Sequence, residues 1–161
     1  MGLDIDLRGL DGVLGMLDGL TNAELIPAAA VGLKDGLQDI RAEAAMLCPK
    51  DTGALANSIK TRTTYKTNAV IGEVYAGKHY AIYVEMGTGP KGERSHAGVD
   101  PDRAARVTYS PKGWVYPTKD GEFRYTEGMP ARPFLYPAFK SQQGKVYKKV
   151  ANAVMRSVTG G

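Results

Sequence analysis

Apolar residues recur along this chain in two rhythms, and the switches between them outline its elements. Near the start Leu3, Ile5 and Leu7 alternate with Gly2, Asp4 and Asp6, the period of two expected of a half-buried strand. Leu7, Leu10, Val13, Leu14 and Leu17 then take helical spacing, weakened by Gly9, Gly12, Gly15 and Gly19. Thr21 and Glu24 stand three apart, as in a capping box. Beyond them Leu25, Ala29, Leu33, Leu37, Ile40, Ala44 and Leu47 recur at three- and four-residue steps. This stripe predicts a helix over 22–47, about 39 Å long, with Pro27 near its start or marking it. Cys48-Pro49 ends it.

The middle of the chain changes to shorter elements. Asp51 or Thr52 can cap a short turn carrying Ala54 and Leu55, with Gly53 supplying backbone freedom. Segments 59–65 and 69–75 read as paired strands joined tightly through Lys66-Thr67-Asn68. Segment 81–85 alternates Ile82 and Val84 against Tyr83 and Glu85; over five residues that pattern fits a strand or a short helix equally.

From Gly87 to Gly128 hydrophobicity drops, and this stretch reads as an insert. Within it Gly113-Trp-Val-Tyr116 and Glu122-Phe-Arg-Tyr125 flank Thr118-Lys-Asp-Gly121, a β-hairpin pattern. The preceding stretch 91–106 is glycine-rich and charged, and is expected to be mobile in the isolated chain. Trp114, Tyr116, Phe123 and Tyr125 on such a hairpin signal partner contact, or rings folded back on their own sheet. Arg94 and Arg103 lie in the same insert and are candidates for the same contact. After it, Leu135, Phe139, Val146, Val150, Val154 and Val158 predict a second amphipathic helix, interrupted by Gly144 and ended by Gly160-Gly161. Two amphipathic helices and several alternating strands bury their apolar faces only against one another. The expected fold is therefore α+β in a single domain over 1–161: a small, mainly antiparallel sheet of three to five strands packed by the two helices.

Composition narrows the functional classes. The 161 residues contain no run of about 18 apolar positions, so no membrane-spanning helix is expected. The first residues lack the basic and apolar regions of a signal peptide, and Asp6 breaks the myristoylation pattern. A single cysteine, Cys48, gives neither an internal disulfide nor a cysteine-cluster zinc site. These features suggest a protein made in a cytoplasm. The formal net charge is +4, but it is unevenly spread. Residues 1–50 carry eight acids against four bases, whereas 128–161 carry Arg132, Lys140, Lys145, Lys148, Lys149 and Arg156 with no acid. That basic tail fits a solvated helix face, a surface meeting the acidic region of another subunit, or, less well without interleaved aromatics, nucleic acid.

No catalytic constellation stands out. Gly72 to Lys78 resembles a phosphate-binding loop, but His79 replaces the hydroxyl residue that would hold magnesium. Gly87-x-Gly89-x-x-Gly92 resembles a dinucleotide fingerprint, yet Pro90 and a helix-poor continuation deny it a helix N-terminus for the pyrophosphate. The two histidines, His79 and His96, are seventeen positions apart, which matches no standard metal spacing. Glu85 beside His79 reads as a surface hydrogen bond or strand-end contact rather than an acid–base pair. The expectation is a protein that is not an enzyme and uses no cofactor or metal.

Three segments are more telling in order than alone: Pro49-Lys-Asp-Thr-Gly-Ala-Leu-Ala-Asn-Ser-Ile59, Tyr80-Ala-Ile-Tyr-Val-Glu-Met-Gly-Thr88 and Thr126-Glu-Gly-Met-Pro-Ala-Arg-Pro-Phe-Leu-Tyr-Pro-Ala138. In the last, Pro130, Pro133 and Pro137 frame Phe134-Leu135, which reads as an extended approach, a buried anchor and a sharp helix start. Together the segments resemble the tail-completion (neck) proteins of long-tailed bacteriophages, a family to which the lambda Z-type proteins are related. The resemblance spans about 20–158, with a longer connection between Gly87 and Gly128 than the family minimum. It makes Asp51, Thr52, Gly53, Glu85, Gly87, Thr88, Pro130, Arg132, Pro133, Phe134 and Leu135 structural motif positions without catalytic roles. It implies a virion protein forming a homo-oligomeric ring, a hexamer by analogy, between the head-closing ring and the tail tube or its terminator. DNA would meet it only by passing through the ring, and no membrane is involved. Two alternatives remain open: a tail terminator that stops tube growth, and a DNA-binding accessory protein using the basic C-terminal helix.

Overall fold

Alternation over the middle of the chain becomes an antiparallel hairpin, and the long apolar stripe becomes the helix that covers it. The structure, a computed structural model, describes residues 2–5, 22–66, 69–95 and 97–159. The elements run β1 (Gly2–Ile5), α1 (Asn22–Leu47), α2 (Ala54–Asn57), β2 (Ile59–Lys66), β3 (Ala69–Ala76), α3 (Ala81–Met86) and α4 (Gly89–Glu93). They continue through α5 (Pro101–Ala104), β4 (Trp114–Pro117), β5 (Phe123–Thr126) and α6 (Leu135–Thr159). The fold is α+β. Strands β1, β3 and β2 form one antiparallel sheet in that order, and β4 pairs with β5 in a second, separate one.

On β3, Gly72, Val74 and Ala76 are buried in alternation, and this face meets α1. A methyl group added at Gly72 would lie 2.9 Å from Leu37 and 3.0 Å from Leu33, so the strand backbone sits close on those two leucines. The next flank of α1 is occupied by α6. Gly32 and Gly36 are one turn apart, hence on one face. A Cβ at Gly32 would fall 2.5 Å from the Lys149 carbonyl oxygen and 2.6 Å from the Val150 Cα. At Gly36 it would fall 2.8 Å from the Val146 side chain. The two glycines thus let the helices touch backbone to side chain and, at one point, backbone to backbone. Helix α1 is buried on two flanks, one toward the sheet and one toward α6. Its core residues Leu33, Leu37, Ile40 and Ala44 are at most 1% exposed, and each large side chain so buried contributes roughly 1.5–3 kcal/mol.

Several sequence expectations are resolved here. Helix α1 spans Asn22–Leu47 as expected, with Pro27 inside it near its start. Gly144 does not interrupt α6: the helix is continuous, and a Cβ there would meet nothing within 4 Å. An exposed glycine costs about 1 kcal/mol relative to alanine, which the buried row of Leu135, Ala138, Val146, Val150 and Val154 outweighs. Leu47 and Val158, counted in the apolar stripes, are exposed; at the end of α1 the buried row steps from Ala44 to Cys48 and leaves Leu47 outside it. Segment 81–85 takes the helical one of its two expected forms, and the stretch 91–106 holds the end of α4 and all of α5. Thr21 of the capping box, the glycine-rich segment 6–20, Thr67-Asn68, His96 and Gly160-Gly161 lie outside the described residues. Among the described residues no helix is long and apolar enough to cross a membrane.

Candidate interaction surface

The polar centre of the molecule is Glu85. It sits near the end of α3, is 1% exposed, and aims its carboxylate at the start of α6. Oε2 accepts hydrogen bonds from the backbone N–H groups of Phe134 (2.8 Å) and Leu135 (3.0 Å), and Oε1 accepts from Tyr136 (3.0 Å). The first N–H groups of a helix have no partner within the helix, and a negative charge there is favoured by the macrodipole. Glu85 supplies both needs from across the fold. Its expected role as a surface hydrogen bond is therefore corrected. Its partners are backbone amides 49 to 51 positions away, a pairing that no local pattern encodes. Phe134 and Leu135 are buried beside it at 0% and 1% exposure, which makes them the anchor that the proline-framed block predicts.

The approach to that anchor is tied down at each step. The Arg132 N–H donates to the Val84 carbonyl at 2.8 Å, while its side chain is exposed. The Ala131 N–H donates to the Ser95 hydroxyl at 2.7 Å. Pro133 is half-buried and Pro130 exposed. Gly87 has φ +73°, a left-handed conformation that side chains resist, and a Cβ there would fall 2.6 Å from both Ala131 N and Gly92 Cα. Thr88 then makes a two-way contact with Met129: its N–H donates to the Met129 carbonyl (2.9 Å), and its hydroxyl accepts from the Met129 N–H (3.1 Å). Lys91 N–H donates to the Glu127 carbonyl at 3.2 Å. The insert therefore leaves and re-enters the core at adjacent points.

Beyond that neck, β4 and β5 stand out as a ribbon whose register sorts its side chains into two faces. Val115 lies opposite Tyr125 and Pro117 opposite Phe123, whereas Trp114 lies opposite Thr126 and Tyr116 opposite Arg124. Directly opposed residues share a face. The Trp114 side turns inward: a Cβ at Gly89 would lie 3.0 Å from the Trp114 ring. Trp114, Tyr80, Tyr83, Val107, Tyr109 and Met129 line a largely apolar recess of about 550 Å³ at the base of the insert. Tyr109 closes one wall, donating its hydroxyl to the Met86 carbonyl at 2.8 Å. Burial pushes its phenol pKa up, and nearby Glu93 adds to the rise. The opposite face of the ribbon is open among the described residues: Val115, Phe123 and Tyr125 are 59%, 75% and 61% exposed.

The remaining sequence candidates divide. Arg94 pairs with Glu127 (3.6 Å) and Arg103 with Asp100 (3.4 Å), both within the insert. Gly53, with φ +75°, occupies the N-cap of α2 without a side-chain cap, and the Thr52 hydroxyl accepts from the Ala54 N–H at 3.3 Å. Asp51 is exposed. This turn makes its contacts locally, whereas Glu85, Gly87 and Thr88 are brought onto the Pro130–Leu135 block. Sequence reading missed Ser95 and Tyr109, two insert residues that bind the core through backbone groups and carry no local signature. The two glycine patterns also find their places. Gly72 lies within β3, and Gly87 and Gly92 pack against each other. On α6, Lys149 bridges to α1, 2.6 Å from Asp39 and 3.1 Å from Asp35, so this cation is already paired within the chain. Those two hydrogen bonds, Asp39 first, hold its pKa above the ordinary lysine value. Gln142 donates to Glu43 at 2.7 Å beside it.

Against known families, residues 21–87 match the model described as "Bacteriophage HK97-gp10, putative tail-component". The matched stretch takes in α1, the Asp51-Thr52-Gly53 turn, the β2–β3 hairpin and α3, and ends where the insert begins. Searches of curated proteins and of solved structures gave no match.

Proposed function

With residues 21–87 carrying the pattern of a phage tail component, we propose that this chain is a non-enzymatic structural protein of the virion. It assembles as a homo-oligomeric ring at the neck of a long-tailed phage, a hexamer by family analogy, completes the tail and joins it to the head. One side of the ring meets the head-closing protein and the other the tail tube or its terminator. DNA passes through without being read.

The observation that supports this reading is the division of the molecule. A helix-and-sheet body is closed by Glu85 on the N-terminus of α6, and a separate aromatic ribbon projects from adjacent attachment points. Such a body holds shape while the ribbon makes contacts, and contact by shape needs no reactive group. The basic tail adds little to a DNA-binding alternative, because Lys149 is committed to Asp35 and Asp39.

The deciding experiment is the mass of the purified chain by light scattering, alone and with purified tail tubes. A ring-sized species, or a monomer that becomes one on the tubes, supports the reading. A strict monomer that ignores tubes and binds DNA with a steep salt dependence overturns it.

A further inference from the structure

Among the described residues, one face of the β4–β5 ribbon is left largely uncovered, its Tyr125 hydroxyl alone donating to the nearby Lys112 carbonyl at 2.7 Å. Val115, Pro117, Phe123 and Tyr125 share it, all exposed, and none carries a charge. Solvated ribbons of this size normally present polar residues on their open side, and an exposed apolar face marks a contact surface. On the other side of the same ribbon lies the recess of about 550 Å³, walled by Trp114, Tyr83 and Met129. A projecting apolar face and an apolar hollow thus occupy opposite sides of one small element.

We propose that these two surfaces are the two halves of a contact between copies of this chain. The outer face of one copy's ribbon, led by Phe123, seats in the Trp114–Tyr83 recess of the next. The inference rests on the ring reading and names its joint. Three observations favour a second copy over another occupant. The surfaces are complementary in kind, apolar face to apolar hollow, and both belong to this chain. They are different surfaces on opposite sides, so the contact is head-to-tail, the type that propagates and closes into a ring. The area argues the same way. A ribbon with strands of four residues is about 13 Å long. Its outer face carries four side chains, against the roughly 20–30 residues a side of a stable pairwise complex. A ring copy gives the contact once and receives it once, and closure holds every joint together.

The test uses the full chain and two variants. Phe123→Ser with Tyr125→Ser spoils the outer face, and Tyr83→Ser spoils the recess wall, all at exposed side chains. Circular dichroism verifies that each still folds. Light scattering across a concentration range should show each variant losing rings, with self-association weakened at least about tenfold. Mixed together, the two variants should still form no rings and should pair only weakly at high concentration, because each keeps one intact half but no closure reinforces the joint. Assembly by both variants equal to that of the native chain overturns this inference while leaving the ring reading in place. Normal rings that no longer bind tail tubes overturn it too, by assigning the face to a different protein. A native chain that stays monomeric with and without tubes brings down the ring reading itself, and this joint with it.

Discussion

The β4–β5 ribbon and the proline-framed block that follows it are neighbours in sequence and opposites in construction. In the block, each backbone N–H from Ala131 to Tyr136 (Pro133 has none) has a partner in Ser95, Val84 or Glu85, and Phe134 is fully buried. In the ribbon, backbone hydrogen bonds run between its own strands, and apart from Trp114, which lines the recess, its large side chains face outward. A segment stabilised by distant partners tolerates little change. A segment stabilised only by itself can spend its side chains on something outside the molecule. The comparison teaches that long-range pairing here is concentrated around one carboxylate and one helix crossing, while the ribbon, to which we assign recognition, keeps its largest apolar side chains exposed.

The hardest way to break this contrast is to strike the core. Gly32→Val places a branched side chain against the Lys149 carbonyl and Val150 Cα and should cost about 3 kcal/mol or more, the upper end of overpacking penalties. Urea denaturation should show a lower midpoint with an unchanged slope. Glu85→Ala strips three N–H groups of their acceptor and should likewise cost about 3 kcal/mol, whereas Glu85→Gln, keeping one oxygen, should lose less. If Glu85→Ala were as stable as the native chain, the clamp would not be the organising contact.

At an intermediate scale, excision of 91–125, closed by a short glycine linker, should leave a folded protein that no longer completes tails. Thr88 and Met129, which flank the cut, keep both of their mutual hydrogen bonds, so closure costs little. Loss of folding would erase the distinction between body and ribbon. The smallest effects concern single titrating groups. Lys149 has a raised folded pKa; its ion pairs are fully present below the ordinary lysine value and are lost as pH rises through the folded one. A Lys149→Gln variant should therefore differ slightly from native at neutral pH, and the gap should close in strong alkali. Cys48 is buried, and burial first, then the charge of Glu85, raises its thiol pKa. Folded protein should thus resist alkylation at neutral pH. Stability should fall as pH climbs past the ordinary thiol value toward the raised one, because the unfolded chain ionises first; Cys48→Ala should flatten that decline.

Much of this was legible in sequence wherever one element's own periodicity decides its structure. The stripe from Leu25 to Ala44 marks α1, the alternation over 59–75 marks β2 and β3, and Thr118-Lys-Asp-Gly121 marks the ribbon's turn. Family resemblance located the Glu85 and Phe134 segments but not their relation. That relation is a carboxylate meeting amides about fifty residues later, and a backbone amide leaves no trace in side-chain identity. Gly32 and Gly36 posed the reverse problem. They look like blemishes in a helix pattern, and only a second helix lying against them reveals that their missing side chains are the point of contact. Gly144 shows how weak such a signal is alone: the same residue type, on the solvent side of α6, does nothing to stop the helix.

The adjacency of the insert's two ends has a practical consequence. Because Thr88 and Met129 fix the doorway, the body cannot sense how much chain lies beyond it, except through a closure entropy that grows only logarithmically with length. The ribbon's turn at Lys119-Asp120 is exposed and far from the doorway along the chain. A tag or small fluorescent domain spliced there would ride on the outside of an intact body while obstructing the joint proposed for Phe123, turning the insert into a handle for holding the protein as single copies.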